Sequence, residues 1–194
     1  MKILKPLKAQ AAYEQAASIF QEMYQNITGI LLPIVTEDDG DDLDVIGSDA
    51  VNMVSAELHL SRKCKFRCVT GSDGYHILSV KEQGRNVLIL AGGRGRSAIY
   101  AVYRYFEKFC NCRYFWDGEV IPKAETTPME GIDLAEAPRF QYRGLRYFAH
   151  RSLHRFQAEH WGYEDWKKEI NWILKKRLNL FMLRIGNDDI FQKA

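Results

Sequence analysis

Apolar and polar positions alternate in two different rhythms along the chain. Over residues 8–26, Ala12, Ala16, Ile19, Phe20 and Met23 recur at three- and four-residue steps, which predicts an amphipathic helix. Gly29 supplies its stop, and the apolar run Ile30-Leu31-Leu32-Pro33-Ile34-Val35 reads as a short strand. Asp44-Val45-Ile46-Gly47 is a second strand. Residues 74–80 and 86–91 predict a hairpin whose turn lies over 81–85 and includes Gly84. A strong helix follows over 97–109, then an aromatic strand over 112–116 closed by Asp117-Gly118. Residues 120–122 lead into a segment, 123–129, rich in Thr and Pro that reads as a linker. These elements predict an α+β layer: mostly antiparallel strands with two helices packed on one face.

The pattern changes after about residue 136. Residues 140–148 are a strand candidate, and a polar and aromatic loop spans 149–163. A helix over 164–176 carries Trp166, Ile170, Ile173 and Leu174 on one face and lysines on the other. The apolar run 178–183 suits a buried parallel strand. Strand, loop, helix, strand and loop make a βαβ unit with a right-handed crossover. Such a pair cannot bury both its faces alone, so more strands are expected. The predicted organisation is an α+β domain over 1–135 and the start of a (β/α)8 barrel over 136–194. A whole barrel needs about 250 residues, so a chain of 194 is expected to be incomplete as an enzyme of that type.

Composition narrows the classes. Hydrophobic residues are 46% and charged residues 27% of the chain, which are the values of a globular protein. The formal net charge of +2 argues against a dedicated nucleic-acid binder. No apolar run reaches the roughly 18 residues of a membrane span, and Met1-Lys2-Ile3-Leu4-Lys5-Pro6 has no signal-peptide core. The protein is therefore expected either in the cytoplasm or as a secreted chain whose leader has been removed. No cofactor motif is present.

Four features invite chemistry. Cys64/Cys68 and Cys110/Cys112 are spaced C-x3-C and C-x-C, which is not zinc-finger spacing, so reduced and mostly buried thiols are expected. The acidic run 37–42 lacks the ligand spacing of an EF-hand loop and reads as solvated. Gly92-Gly93-Arg94-Gly95-Arg96-Ser97 lies between a strand and a helix, where phosphates bind, but it matches no complete phosphate-binding motif. A tight turn with positive φ is the preferred reading, and a nucleotide-binding protein the lesser one. The loops that would follow the two barrel strands are the densest in polar and aromatic groups. The first carries His150, Arg151, His154, Glu159, His160 and Trp161, and the second Arg184, Asn187 and Asp188. His150 and His154 have i,i+4 metal-ligand spacing, yet no third ligand is evident. A sugar site fits better, since sugars are held by Arg, Asn, Asp and His hydrogen bonds and by aromatic stacking. His150, Arg151, His154, Trp161, Asn187 and Asp188 are its candidate residues, with no metal and no cofactor; bracing of the loop is the structural alternative for each. Glu159, Asp165 and Asp188 are the acids near that rim, and none is marked as half of a catalytic pair.

The segment Leu88-Ile89-Leu90-Ala91-Gly92, Ser97 to Tyr103, Phe106-Glu107 and Cys112-Arg113-Tyr114-Phe115 resembles the N-terminal accessory domain of several glycoside hydrolases. These are the family 20 β-hexosaminidases, the α-glucuronidases and the family 89 α-N-acetylglucosaminidases. Arg146-Tyr147-Phe148, Trp166 to Trp172, Leu178-Asn179-Leu180 and Gly186 to Gln192 are similar to the first βαβ of the family 89 barrel, and 140–144 to the barrel entry of family 20. The resemblance implies a non-catalytic α+β domain packed on a barrel that cleaves N-acetylhexosaminyl or related glycosides. Its catalytic glutamates would come from later strands, beyond Ala194. The chain departs from family 89 at His150-Arg151-Ser152, where Asn-Val-Cys is usual, and from family 20 at Phe148, where an Asp accompanies the substrate-binding Arg near Arg151. The expected partner is a carbohydrate, with no nucleic acid and no membrane. An alternative is a non-catalytic carbohydrate-binding or interaction module that self-associates through its unfinished barrel edge.

Overall fold

A computed structural model describes residues 1–47, 52, 71–145 and 161–181. The chain divides into two compact units, Met1–Arg139 and Phe140–Ala194.

In the first unit the order is β1 (Lys2–Leu4), α1 (Ala11–Thr28), β2 (Ile34–Val35), β3 (Leu43–Ile46), β4 (Tyr75–Glu82), β5 (Arg85–Gly92), α2 (Gly95–Phe109), β6 (Arg113–Tyr114), β7 (Glu119–Val120) and β8 (Asp133–Glu136). α1 ends where Gly29 turns left-handed and its N–H caps the Gln25 carbonyl at 2.8 Å. The β4–β5 hairpin turns through Gln83 and Gly84, both at positive φ, as a tight two-residue hairpin requires.

Six strands form one sheet in the order β2-β1-β3-β5-β4-β8. The expectation of a mostly antiparallel sheet is corrected here. β2, β1, β3 and β5 run parallel, and only β4 opposes its neighbours β5 and β8. The cause is β1, three residues too short to show a period in the sequence. It pairs on both sides and makes β1–α1–β2 a parallel crossover.

The sheet is buried on both faces. Leu4, Leu43, Val45, Leu78, Val87, Ile89 and Ala91 cluster on one. Alternation sends Ile3, Asp44, Ile46, Leu88 and Leu90 to the other. α1 and α2 pack together through Phe20, whose ring lies 5.7 Å from Tyr105 and 5.0 Å from Phe106. Aromatic pairs of this kind add about 0.5–1.5 kcal/mol beyond the area they bury.

Residues 123–129 are not a free linker. Lys123 donates to the Asn26 carbonyl, Ala124 N–H to Ile27 O at 3.1 Å, and the Tyr105 hydroxyl to Pro128 O at 2.6 Å. The segment is thus tied along the ends of α1 and α2 before β8 joins the sheet edge. β8 is then locked by side chains. His76 Nε2 meets Asp133 at 2.7 Å, and Arg104 grips Glu136 bidentately at 3.0 and 2.7 Å while Tyr75 donates to the same carboxylate.

The acidic run is largely exposed, as expected, and it is also anchored by the chain's own cations. The buried Arg85 guanidinium holds Asp38 and also donates to Asp41 O at 2.8 Å. Its hydrogen bonds hold the Asp38 carboxyl below the usual range. Lys2 pairs with Asp39 and Asp41, and Asp42 accepts the Asn86 N–H at 2.8 Å.

In the second unit β9 (Gly144–Leu145) and β10 (Leu180–Phe181) are parallel, joined through α3 (Tyr163–Lys175). Trp161, Trp166, Trp172, Leu178 and Phe181 pack around Ile173. Ile170, expected on the packed face, is 47% exposed. The rotation places Glu169 inside instead.

Candidate functional site

The glycine turn before α2 has a packing reason. None of Gly92, Gly93 and Gly95 adopts positive φ, so the expected left-handed turn is corrected. A Cβ on Gly92 would lie 2.5 Å from Ala98 N and 2.7 Å from Ser97 C, and one on Gly95 would lie 2.8 Å from Ala12 Cβ. The glycines let β5 run into the first turn of α2, and let that turn approach α1. The negative charge beside this helix start is the chain's own. Asp73, buried, accepts from Arg96 at 2.7 and 3.2 Å and faces Arg94 Nε at 3.3 Å. Ser97 Oγ donates to Ser72 O at 2.9 Å. A carboxylate thus answers the helix dipole and both arginines.

The thiolate form is disfavoured at Cys110, half-buried, and at Cys112, buried. Burial pushes Cys110 up to about 12 and Cys112 up to about 11. Among the described residues no three His, Cys, Asp or Glu side chains gather as metal ligands. Cys64 and Cys68 lie outside the described residues. No described helix is long and apolar enough to cross a membrane.

The rim of the second unit is built as follows. Phe181 is in register with Leu145, so the chain leaves both parallel strands at neighbouring points of one sheet edge. That is the edge at which β/α folds place their chemistry. The residues after those points include His150, Arg151, His154, Asn187 and Asp188, which lie outside the described residues, as do Glu159 and His160. Trp161 is described. Its ring is 4.8 Å from Trp166 and nearly perpendicular to it, and Trp166 is 5.9 Å from Phe181 at 90°. Trp161 is half-buried, braced by the helix packing while keeping part of its surface in solvent. Asp165, one of the candidate acids, accepts the Gly162 N–H at 3.0 Å and so caps α3.

The opposite end of the strand pair is held by residues the sequence reading did not single out. The Asn179 carboxamide accepts from Arg143 N at 2.8 Å and donates to Gln141 O at 2.7 Å. The Arg143 side chain donates to Arg177 O at 2.9 Å and Phe140 O at 2.8 Å. These bonds fix the entry of β9 beside the entry of β10. A Cβ on Gly144 would lie 2.6 Å from Leu180 O, so glycine lets the strands meet there. An amide at the head of an apolar run was the available signal.

No protein-family model matches the chain. Human alpha-N-acetylglucosaminidase aligns at 24% identity over 128 residues, 66% of this chain and 17% of that protein. The chain resembles glycoside hydrolases. In fold, a family GH115 4-O-methyl-alpha-glucuronidase with specificity for decorated arabinogalactans superposes with a TM-score of 0.64 at 13% identity, over 92% of this chain and 24% of that one. A Streptomyces plicatus beta-hexosaminidase in complex with GlcNAc gives a TM-score of 0.45 at 10% identity, over 73% and 23%. The chain therefore spans about a sixth of the curated relative and about a quarter of each solved hydrolase.

Proposed function

We propose that these residues are the N-terminal portion of a carbohydrate-active glycoside hydrolase acting on N-acetylhexosaminyl or related glycosides. Residues 1–135 serve as its accessory α+β domain, and 136–194 open a (β/α)8 catalytic domain. The observation that carries this reading is the parallel β9–α3–β10 unit that follows an α+β domain, in a chain whose sequence aligns with alpha-N-acetylglucosaminidase. His150, Arg151, His154, Trp161, Asn187 and Asp188 are assigned the substrate-binding role. They hold sugar hydroxyls by hydrogen bonds and a ring face by stacking. Glycoside hydrolysis needs a proton donor and a nucleophile or base. Asp165 is engaged as a helix cap, and neither Glu159 nor Asp188 is marked as half of a catalytic pair, so both catalytic carboxylates are assigned to strands outside these residues.

The test is hydrolysis of aryl N-acetyl-α- and β-hexosaminides by the complete natural reading frame and by the 194 residues alone. Turnover is expected from the first and not from the second. In the complete protein, Arg151→Ala should lower kcat/KM by about 10- to 100-fold, the worth of a charged hydrogen bond. Turnover by the 194 residues overturns the assignment of the carboxylates. A complete protein inert toward every hexosaminide overturns the substrate class.

A further inference from the structure

β3 is hydrogen-bonded to β1 on one side and β5 on the other, with Ile3 and Leu88 in register with Asp44. Leu43 and Val45 belong to one apolar face, so Asp44 points to the opposite one. It is 1% exposed, and neither carboxyl oxygen has a hydrogen-bond partner among the described residues. Asp44 faces the helix layer. Tyr24 of α1, Tyr105 of α2 and Cys110 just beyond α2 are the groups whose ionisation an ionised Asp44 would oppose, and none of them is a cation. Among the described residues, the charged groups acting on it are the Met1 amine, which attracts, and Asp42, which repels.

An ionised carboxylate without partners in such a place costs far more than a neutral acid there. We infer that Asp44 is a proton-operated latch of the N-terminal unit: the folded unit keeps it neutral, and loss of the proton favours states in which the helix layer lifts and lets water reach β3. Burial holds the Asp44 carboxyl well above the usual carboxylate range, with the Met1 amine opposing and Asp42 adding to the effect. The sign follows. In the unfolded chain Asp44 ionises near its ordinary value of about 3.9. Its folded value is raised, so its contribution to stability is full below about 3.9 and is lost as pH climbs towards the folded value. Within that window the folded-to-unfolded ratio falls by up to about tenfold per pH unit.

The experiment compares the full chain with Asp44→Asn by urea titration at intervals from pH 4 to pH 8. The variant cannot ionise at this position, so the ratio of its folding constant to that of the wild type should grow by up to about tenfold per unit. It should level off only where the folded carboxyl itself begins to ionise. A flat ratio across the whole range overturns the latch. Should Asp44→Asn fail to fold, hydrogen exchange of the wild type decides. Protection of the slowest α1 and α2 amides, corrected for intrinsic rates, should fall with rising pH while that of α3 does not. Level protection in α1 and α2 overturns it equally.

Discussion

Gly92→Ala isolates the approach of β5 to α2. The added methyl would sit 2.5 Å from Ala98 N and 2.7 Å from both Ser97 C and Ser97 Cβ. Ordinary contact needs about 1 Å more, and the opposing atoms are mostly backbone of the first turn of α2. That turn cannot rotate out of the way as a side chain would. It is held by the Arg96–Asp73 pair and by the buried Tyr100, Tyr105 and Phe106 further along the helix. Overpacking a close-packed site costs about 1–3 kcal/mol, and a rigid backbone neighbour places this substitution at the upper end, about 3 kcal/mol. At about 3 °C per kcal/mol for a unit of this size, the Tm should drop by about 10 °C. Scanning calorimetry or circular dichroism of the full chain measures it. Gly118→Ala is the control, because a Cβ there meets nothing within 4 Å. It should stay within about 0.5 kcal/mol of wild type. Equal stability of Gly92→Ala and wild type would refute the packing explanation of this glycine and reopen the phosphate reading of the turn.

In the second unit, Asn179→Ala removes the bonds to Arg143 N and Gln141 O. A loss of about 2 kcal/mol is expected, seen as roughly thirtyfold faster exchange of the α3 amides; unchanged exchange would show that the strand entries are held by other means. Iodoacetamide at pH 7.5 should leave Cys110 and Cys112 unmodified in the native chain and modify both in urea. Their raised values keep the thiolate scarce until pH approaches about 11 to 12, and peptide mapping that found rapid native labelling would contradict their burial.

Elements with a strong local period were legible in the sequence. α1, α2, α3, β3 and the β4–β5 hairpin lie within a few residues of their expected positions. The short strands were not. β1 has three residues, followed closely by Pro6, and β8 reads Asp-Leu-Ala-Glu, an edge strand held by His76 and Arg104 rather than by apolar content. Missing β1 distorted the topology, because a hairpin announces antiparallel pairing through its turn, whereas parallel partners sit far apart in sequence. The aromatic strand is shorter than the run of aromatic residues suggests. Tyr114 is buried, but Phe115 and Trp116 lie exposed in the turn between β6 and β7. At the candidate rim, residue types suggested a use for Trp161 and Asp165. The cap made by Asp165 and the edge-on packing of Trp161 depend on where α3 begins and on Trp166 beneath it.

The order in which the sheet is assembled along the chain has a bearing on synthesis. Its two inner parallel pairings join segments some forty residues apart: Leu4 pairs with Val45, and Val45 with Ile89. Loop closure over such distances is slow beside formation of the β4–β5 hairpin and α2. The last strand, β8, is supplied by residues 133–136, immediately before the second unit begins. As the polypeptide leaves the ribosome, every strand of the six-stranded sheet has therefore emerged before Phe140 is needed. The first unit can therefore close its sheet edge while the second is still being translated.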